Sequence, residues 1–211
     1  MKKKIVAAIA LLIVFIPFYA FKIEPNLVVT HHLKLGDRTR PAEVKIVQLS
    51  DIQVSESFET NRLAKVIGKV NKEKPDIIVF TGDLFDNYAQ YQHEQEIIEQ
   101  LSQLNASIGK YAVWGNHDYG GGAARIYESV MNAGGFKVLK NSGETLLLKS
   151  GKKLFIGGMD DSLLGNPSVD ETLADRQGYD YSVLLTHEPD VADRFIGTNT
   201  QLILAGHSHG G

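Results

Sequence analysis

Ile77-Ile78-Val79-Phe80-Thr81-Gly82-Asp83-Leu84-Phe85-Asp86 is an apolar run that ends on a glycine and a carboxylate. Its first part shows no alternation of apolar and polar side chains, so Ile77–Thr81 reads as a strand buried on both faces of a sheet. Upstream, Leu63, Val66, Ile67 and Val70 recur at helical spacing. They predict an amphipathic helix from Thr60 to Asn71, which Pro75 prevents from continuing. Before it, Val44–Leu49 reads as another strand, ending at Ser50-Asp51. Downstream, Ile97, Ile98, Leu101 and Leu104 mark a helix. Tyr111–Trp114 reads as a strand, and Ala123–Ala133 as a helix stopped by Gly134-Gly135. Further strands are expected at Lys137–Leu139, Thr145–Lys149, Leu154–Gly157, Val183–Thr186 and Leu202–Ala205, with short helices at Val169–Arg176 and Val191–Ile196. Strands alternating with helices predict an α/β layered architecture, and the neighbouring strands near the middle predict a second sheet.

The residues with metal-binding chemistry fall just past these strands. Asp51 follows Val44–Leu49, Asp83 follows Ile77–Thr81, and Asn116-His117 follow Tyr111–Trp114. His187 follows Val183–Thr186, and His207 and His209 follow Leu202–Ala205. Strand ends of open α/β sheets are where ligands gather, because loops vary there over a rigid base. Two divalent cations about 3.5–4 Å apart need a bridging anion between them, and Asp83 is the natural bridge. Oxygen donors with imidazole suit Mn, Fe or Zn. Each residue alone has a plainer reading. Asp51, Asp83 and Asp86 could cap helices or turns, and a lone His187 is more often a buried histidine with its hydrogen bonds satisfied. Those readings do not explain why all of them fall at strand ends.

Composition bounds the rest. With 43% hydrophobic and 22% charged residues the chain has the profile of a globular protein rather than a disordered one. The net charge of -3 argues against a nucleic-acid partner. The absence of cysteine excludes disulfides and thiolate-held zinc. At the N-terminus, Lys2, Lys3 and Lys4 precede an apolar run from Ile5 to Phe21, at the short end of the spanning range of about 17–25 residues. Residues 1–22 read as an uncleaved signal anchor, with a cleaved signal peptide as the alternative. A cleavage site at Phe18-Tyr19-Ala20 would put bulky residues where small ones belong. The lysines are expected on the cytoplasmic side of a cell membrane crossed once, with the remainder extracytoplasmic. Residues 23–43 read as a linker with a strand at Leu27–Leu35 and a turn-rich stretch at Gly36–Pro41, and 44–211 as the catalytic domain. The chain stops at His207-Ser208-His209-Gly210-Gly211, directly after a strand, and reads as a fragment lacking a C-terminal part of its fold.

Gly82-Asp83-Leu84-Phe85-Asp86, Gly115-Asn116-His117-Asp118 and Gly206-His207-Ser208-His209 together resemble three signature blocks of the calcineurin-like metallophosphoesterases, in order and in strand context. The resemblance implies a four-layer α/β/β/α sandwich, here without its C-terminal strands. It implies two divalent metal ions, Mn, Fe or Zn with Mg as a further option. It also implies hydrolysis of phosphodiesters or phosphomonoesters by a hydroxide that the dinuclear centre activates. Asp51 and His209 would hold the first metal, Asp83 would bridge, and Asn116, His187 and His207 would hold the second. His117 would bind phosphate or protonate the leaving oxygen, with Asp118 behind it as an orienting carboxylate. Asn116, His117 and Tyr119 would contact the substrate, and Tyr88 and Tyr91 are further candidates for the cleft wall. Ahead of these blocks the family pattern is Asp-x-His, and here it reads Asp51-Ile52-Gln53: Gln53 stands where the histidine is expected. Its carbonyl oxygen is a poorer ligand than imidazole for such metals. The alternative function is therefore a catalytically weak or inactive module that binds a phosphate ligand on the same scaffold.

Overall fold

The computed structural model describes residues 2–24, 27–36, 44–56, 58 and 60–210. The chain divides into two units, Met1–Gly36 and Asp37–Gly211. In the first, helix α1 (Lys2–Phe18) carries Pro17 and passes into a π-helical turn, Tyr19–Ile23. Pro17 has no N–H to give to the turn before it, which favours such a change of helical pattern. Lys3–Ile23 is long and apolar enough to cross a membrane, and none of it is buried. Residues 27–36 form no strand, contrary to the sequence expectation for Leu27–Leu35. The β-favouring Val28, Val29 and Thr30 express a preference for packing on a sheet, and that preference alone does not build one. Most of the expected turn at Gly36–Pro41 lies outside the described residues.

The second unit is built from two four-stranded sheets. The first contains β1 (Ile46–Leu49), β2 (Ile77–Phe80), β3 (Gly109–Ala112) and β4 (Lys137–Val138), all parallel and in that order. Helices α2 (Thr60–Glu73), α3 (Glu94–Ser102), and α4 (Asn116–Gly120) with α5 (Tyr127–Ala133) supply its crossovers. The second sheet contains β5 (Ser142–Leu147), β6 (Lys153–Gly158), β7 (Tyr181–Leu185) and β8 (Leu202–Leu204). Its β5–β6 pair is antiparallel, and the other pairs are parallel. Helix α6 (Val169–Leu173) and a 3₁₀ helix (Pro189–Phe195) connect its later strands.

One apolar cluster joins Ile77, Val79, Tyr111, Val113 and Leu139 of the first sheet to Leu154, Ile156, Val183 and Leu185 of the second. Alternate residues point the other way, as the pleat requires. Ile78 and Phe80 are fully buried on the side opposite Ile77 and Val79, and Phe155 and Leu184 pack with Val191 and Phe195 of the 3₁₀ helix. Both faces of both sheets are thus covered, giving the four-layer sandwich. Two elements start three or more residues from where the sequence reading put them. Strand β5 starts at Ser142 rather than Thr145, because Ser142–Glu144 are paired with Ile156–Gly158 of β6. The expected helix Ala123–Ala133 starts at Tyr127, behind a turn at residues 121–126.

Candidate metal centre

The β1, β2, β3, β7 and β8 chains all leave their sheets at one end of the sandwich, and those of β1, β2 and β8 turn sharply within a few residues. Asp51, Gln53, Asp83, His207 and His209 have φ between +49° and +64°. The left-handed region costs an L-residue roughly 1–2 kcal/mol. Strain of this kind clusters at functional sites, held there by the surrounding structure. Gly82, at φ +91°, permits one of these turns: a Cβ there would lie 2.5 Å from His187 Nδ1 and 2.8 Å from Gly115 Cα. Gly82 therefore allows His187 and Gly115 to close on the Asp83 loop.

The donor atoms converge. One ligand atom each from Asp51, Asp83 and His187 lie within 4.8 Å of one another. His187 is fully buried. Its Nδ1 lies 2.7 Å from the Thr81 carbonyl, which can only accept, so Nδ1 carries a proton, and the ring is held with Nε2 toward the Asn116 Oδ1 at 3.1 Å and the Asp83 Oδ2 at 3.3 Å. His207 Nδ1 lies 3.1 Å from the same Asn116 oxygen. His209 Nε2 lies 3.6 Å from Asp51 Oδ1. Asp51 accepts the His207 N–H at 3.0 Å and the Ser50 hydroxyl at 2.5 Å. Gln53 aims its amide at Asp83 Oδ2, 3.4 Å away. All seven residues singled out in the sequence as ligands thus meet in one chain of contacts, running from Gln53 and Asp83 through His187, Asn116 and His207 to Asp51 and His209.

Burial alone would push the Asp83 carboxyl up, but the His187 hydrogen bond and charge overcome it and hold it below the ordinary range. Burial likewise disfavours charge on His187, and Asp83 overcomes that, lifting the imidazole to about 9. The two groups are buried together with a proton between them, in the position where a cation would satisfy both. Oxygen and imidazole donors around a central carboxylate, with a tautomer fixed from behind, fit a divalent metal centre.

His117 lies beside this cluster. Its backbone N–H donates to Asp83 Oδ1 at 2.9 Å, leaving Oδ2 turned to His187. Its ring Nδ1 is 2.9 Å from the Asp86 carbonyl and 3.4 Å from the Asp86 carboxylate. The residue orienting His117 is therefore Asp86, not Asp118 as the sequence reading had it. Asp118 is fully buried and points the other way. Its carboxylate accepts the N–H groups of Asp83, Leu84, Phe85 and Gly115, at 2.9, 3.0, 3.2 and 3.1 Å. The two residues are consecutive on α4 and so point about 100° apart around it, and the carboxylate reaches back to the Asp83 loop while the imidazole is part-exposed. Burial, then the nearby Asp83 charge, pushes the Asp118 carboxyl up to about 8 against the pull of those N–H groups.

Tyr119 is engaged away from the ligand cluster. Its hydroxyl donates to Asp160 Oδ1 at 2.6 Å, and its ring stacks on Trp114 with centroids 4.5 Å apart. Lys140 Nζ sits 3.6 Å from Asp160 and 5.3 Å above the Tyr119 ring. Behind His187, Asp161 and Glu188 form a buried pair of carboxyl groups. Burial first, and the Glu188 beside it second, push Asp161 up to about 7, while Glu188, against its own burial, is held down by Asp161 and the Ser162 N–H. Sequence reasoning missed these roles of Asp86, Asp118, Asp160 and Glu188. For Asp160-Asp161, their position just past β6 was a signal.

Residues 44–211 match the calcineurin-like phosphoesterase family. The chain is 43% identical over 196 residues to the metallophosphoesterase YkuE of Bacillus subtilis, covering 92% of this chain and 68% of that protein. It is 32% identical over 199 residues to a metallophosphoesterase of Aquifex aeolicus, covering 92% of this chain and 71% of the relative. The crystal structure of TT1561 of Thermus thermophilus shares the fold, with a TM-score of 0.50 at 14% identity over 77% of this chain and 81% of that one. With its three blocks folded onto one rim and the match running from Val44 through both sheets, the chain belongs to the calcineurin-like phosphoesterases, a family of phosphoric ester hydrolases.

Proposed function

We propose that this chain is a membrane-tethered phosphoesterase that works with two divalent cations, Mn, Fe or Zn, with Mg as a further option. Its substrate would be a phosphodiester or phosphomonoester. The observation that carries the reading is the convergence of Asp51, Asp83 and His187 within 4.8 Å, with Asn116, His207, His209 and Gln53 in contact around them. Asp51, His209 and Gln53 would hold one cation, Asn116, His187 and His207 the other, and Asp83 would lie between. When bound, the metals supply positive charge that polarises the phosphoryl group and acidifies water.

The chain's own residues do the rest. The His117 N–H and the Asp118 clamp fix the Asp83 carboxylate in orientation. The Asp86 carbonyl holds His117 Nδ1, which leaves Nε2 to give its proton to the leaving oxygen. Helix α1 supplies the tether. The lysines that precede its apolar stretch favour the cytoplasmic side, which puts residues 44–211 on the extracytoplasmic side.

The test is hydrolysis of an aryl phosphodiester and an aryl phosphomonoester with added Mn, together with the Asp83→Asn variant. Turnover is expected, and its loss in the variant. Wild-type turnover that survives a strong chelator would overturn the reading. Protease accessibility of residues 44–211 in intact cells tests the sidedness. Gln53 favours one second reading, a phosphate-binding module of weak or no catalysis. That reading predicts fewer than two metals per chain by elemental analysis.

A further inference from the structure

The loops that carry Gln53 and Asp83 run on past the metal cluster side by side. Val54 N–H donates to Leu84 O at 2.8 Å, and Asp86 N–H donates to Val54 O at 3.3 Å. Then the loops part. Between them lies a cavity of about 200 Å³ lined by Ser55, Glu56, Asp86, Asn87, Gln90 and Tyr91. Its outer wall is a turn in which the Gln90 and Tyr91 N–H groups donate to Asn87 O at 3.1 and 3.2 Å. Ala89 N–H ties that turn to Gly121 O, just past α4, at 3.2 Å. Its inner wall, Asp86, is the residue that holds His117. The cavity therefore shares Asp86 with the group placed to protonate the leaving oxygen.

The lining selects by chemistry. Glu56 and Asp86 are carboxylates, and among the described residues no lysine or arginine lines the cavity. An anionic group would meet like charge there with no cation in the lining to offset it. The Asn87 and Gln90 amides and the Ser55 hydroxyl both donate and accept hydrogen bonds, while the carboxylates accept. Hydroxyl groups, which also do both, match this set better than an ammonium, which only donates. The Tyr91 ring is held by stacking on His93, with centroids 4.2 Å apart, and offers a flat face for a ring or polyol to lie against. The volume is below the roughly 300–1,000 Å³ of sites that enclose a drug-sized ligand, so it suits one small group and not a nucleotide.

We propose that this cavity is the subsite for the alcohol half of the phosphoester, and that it selects a neutral, polyhydroxylated leaving group. The proposal rests on the phosphoesterase reading above. In the reaction, a water oxygen forms a bond to phosphorus and loses a proton to solvent. The bond from phosphorus to the alcohol oxygen breaks, and that oxygen takes its proton from His117.

The experiment uses the full chain with two readouts. The first is kcat/KM with added Mn for bis(p-nitrophenyl) phosphate, for glycerophosphoinositol, and for ADP-ribose, whose leaving group is itself a phosphate ester. Glycerophosphoinositol should exceed ADP-ribose by about tenfold or more, the scale of one like-charge contact, and Glu56→Lys should erase that ratio. The second is saturation-transfer NMR of free myo-inositol, with and without chelator. A signal is expected in both conditions and should be lost in Glu56→Lys and in Tyr91→Ala. If the inositol signal behaves so but no ester is turned over, the subsite stands and the phosphoesterase reading falls. If bis(p-nitrophenyl) phosphate is hydrolysed without preference between the other two esters, and inositol gives no variant-sensitive signal, the subsite is overturned and the phosphoesterase reading remains. Binding of ethanolamine in place of inositol also overturns it.

Discussion

The carboxylate of Asp118 lies directly behind Asp83 and accepts its backbone N–H at 2.9 Å, while also taking the N–H groups of Leu84, Phe85 and Gly115. One buried side chain thus joins the loop after β2 to the loop after β3. Removing it would leave several buried N–H groups unpaired, each costing about 1–3 kcal/mol before relaxation. Asp118→Ala is expected to lower the unfolding free energy by about 3 kcal/mol or more, read by urea denaturation. Metal retention should fall with it.

His117→Ala should behave in the opposite way. The side chain is 38% exposed and, among the described residues, its ring is held by Asp86 alone, so stability should change by less than about 1 kcal/mol. Turnover should fall by about 10²–10⁴-fold if His117 protonates the leaving oxygen. The loss should be largest for alkyl esters and smallest for p-nitrophenyl esters, whose leaving oxygen needs no proton. An equal loss on both ester classes would exclude the role.

Gln53 already reaches toward Asp83 Oδ2. Gln53→His should place an imidazole at the same oxygen and raise zinc affinity by about tenfold, the lower end of what ligand-shell changes produce. Competitive titration with a metal indicator measures it. An unchanged affinity would mean that Gln53 does not face the first cation.

Asp76 ties two strand starts together at the far end of the first sheet. It accepts the Lys45 N–H at 2.9 Å and the Ser107 hydroxyl at 2.7 Å. Those two bonds, the hydroxyl first, hold its carboxyl below the ordinary value. A depressed folded-state pKa stabilises the fold above the unfolded pKa, and the gain is lost as pH falls through the folded value. Asp76→Ala should therefore cost about 1 kcal/mol at pH 7, discounted for exposure. The difference from wild type should shrink below about pH 4. A gap that stayed constant down to pH 2 would show that the carboxylate's charge plays no part.

The alternation of strand and helix was legible because burial imposes it on the sequence. Ile77–Phe80 is apolar throughout since both its faces are covered, and Leu63, Val66, Ile67 and Val70 keep helical spacing since one face of α2 is covered. The ligands were legible because glycine precedes Asp83, Asn116 and His207. What escaped was set by partners distant in sequence. Helix α4 is too short to form on its own propensity, and Asp118, with one carboxylate oxygen on Gly115 N–H and both on the Asp83 loop, anchors it there. Its sequence neighbour His117 suggested a catalytic role for Asp118 that the geometry gives to Asp86. The start of β5 followed its pairing with β6, not its apolar residues, and Leu147 on that strand is 71% exposed.

The left-handed backbone at Asp51, Gln53, Asp83, His207 and His209 has a consequence for the evolution of the rim. A chain selected for durability alone would carry glycine at such positions. His209 is the clearest case: its side chain is 56% exposed and lies 3.6 Å from Asp51. Relief of the strain, about 1–2 kcal/mol, exceeds the roughly 0.5–1 kcal/mol by which glycine loosens the unfolded chain. His209→Gly should thus raise the melting temperature of the metal-free protein while weakening its hold on metal. The rim is a place where persistence of the fold and competence of the site pull the same residues in opposite directions.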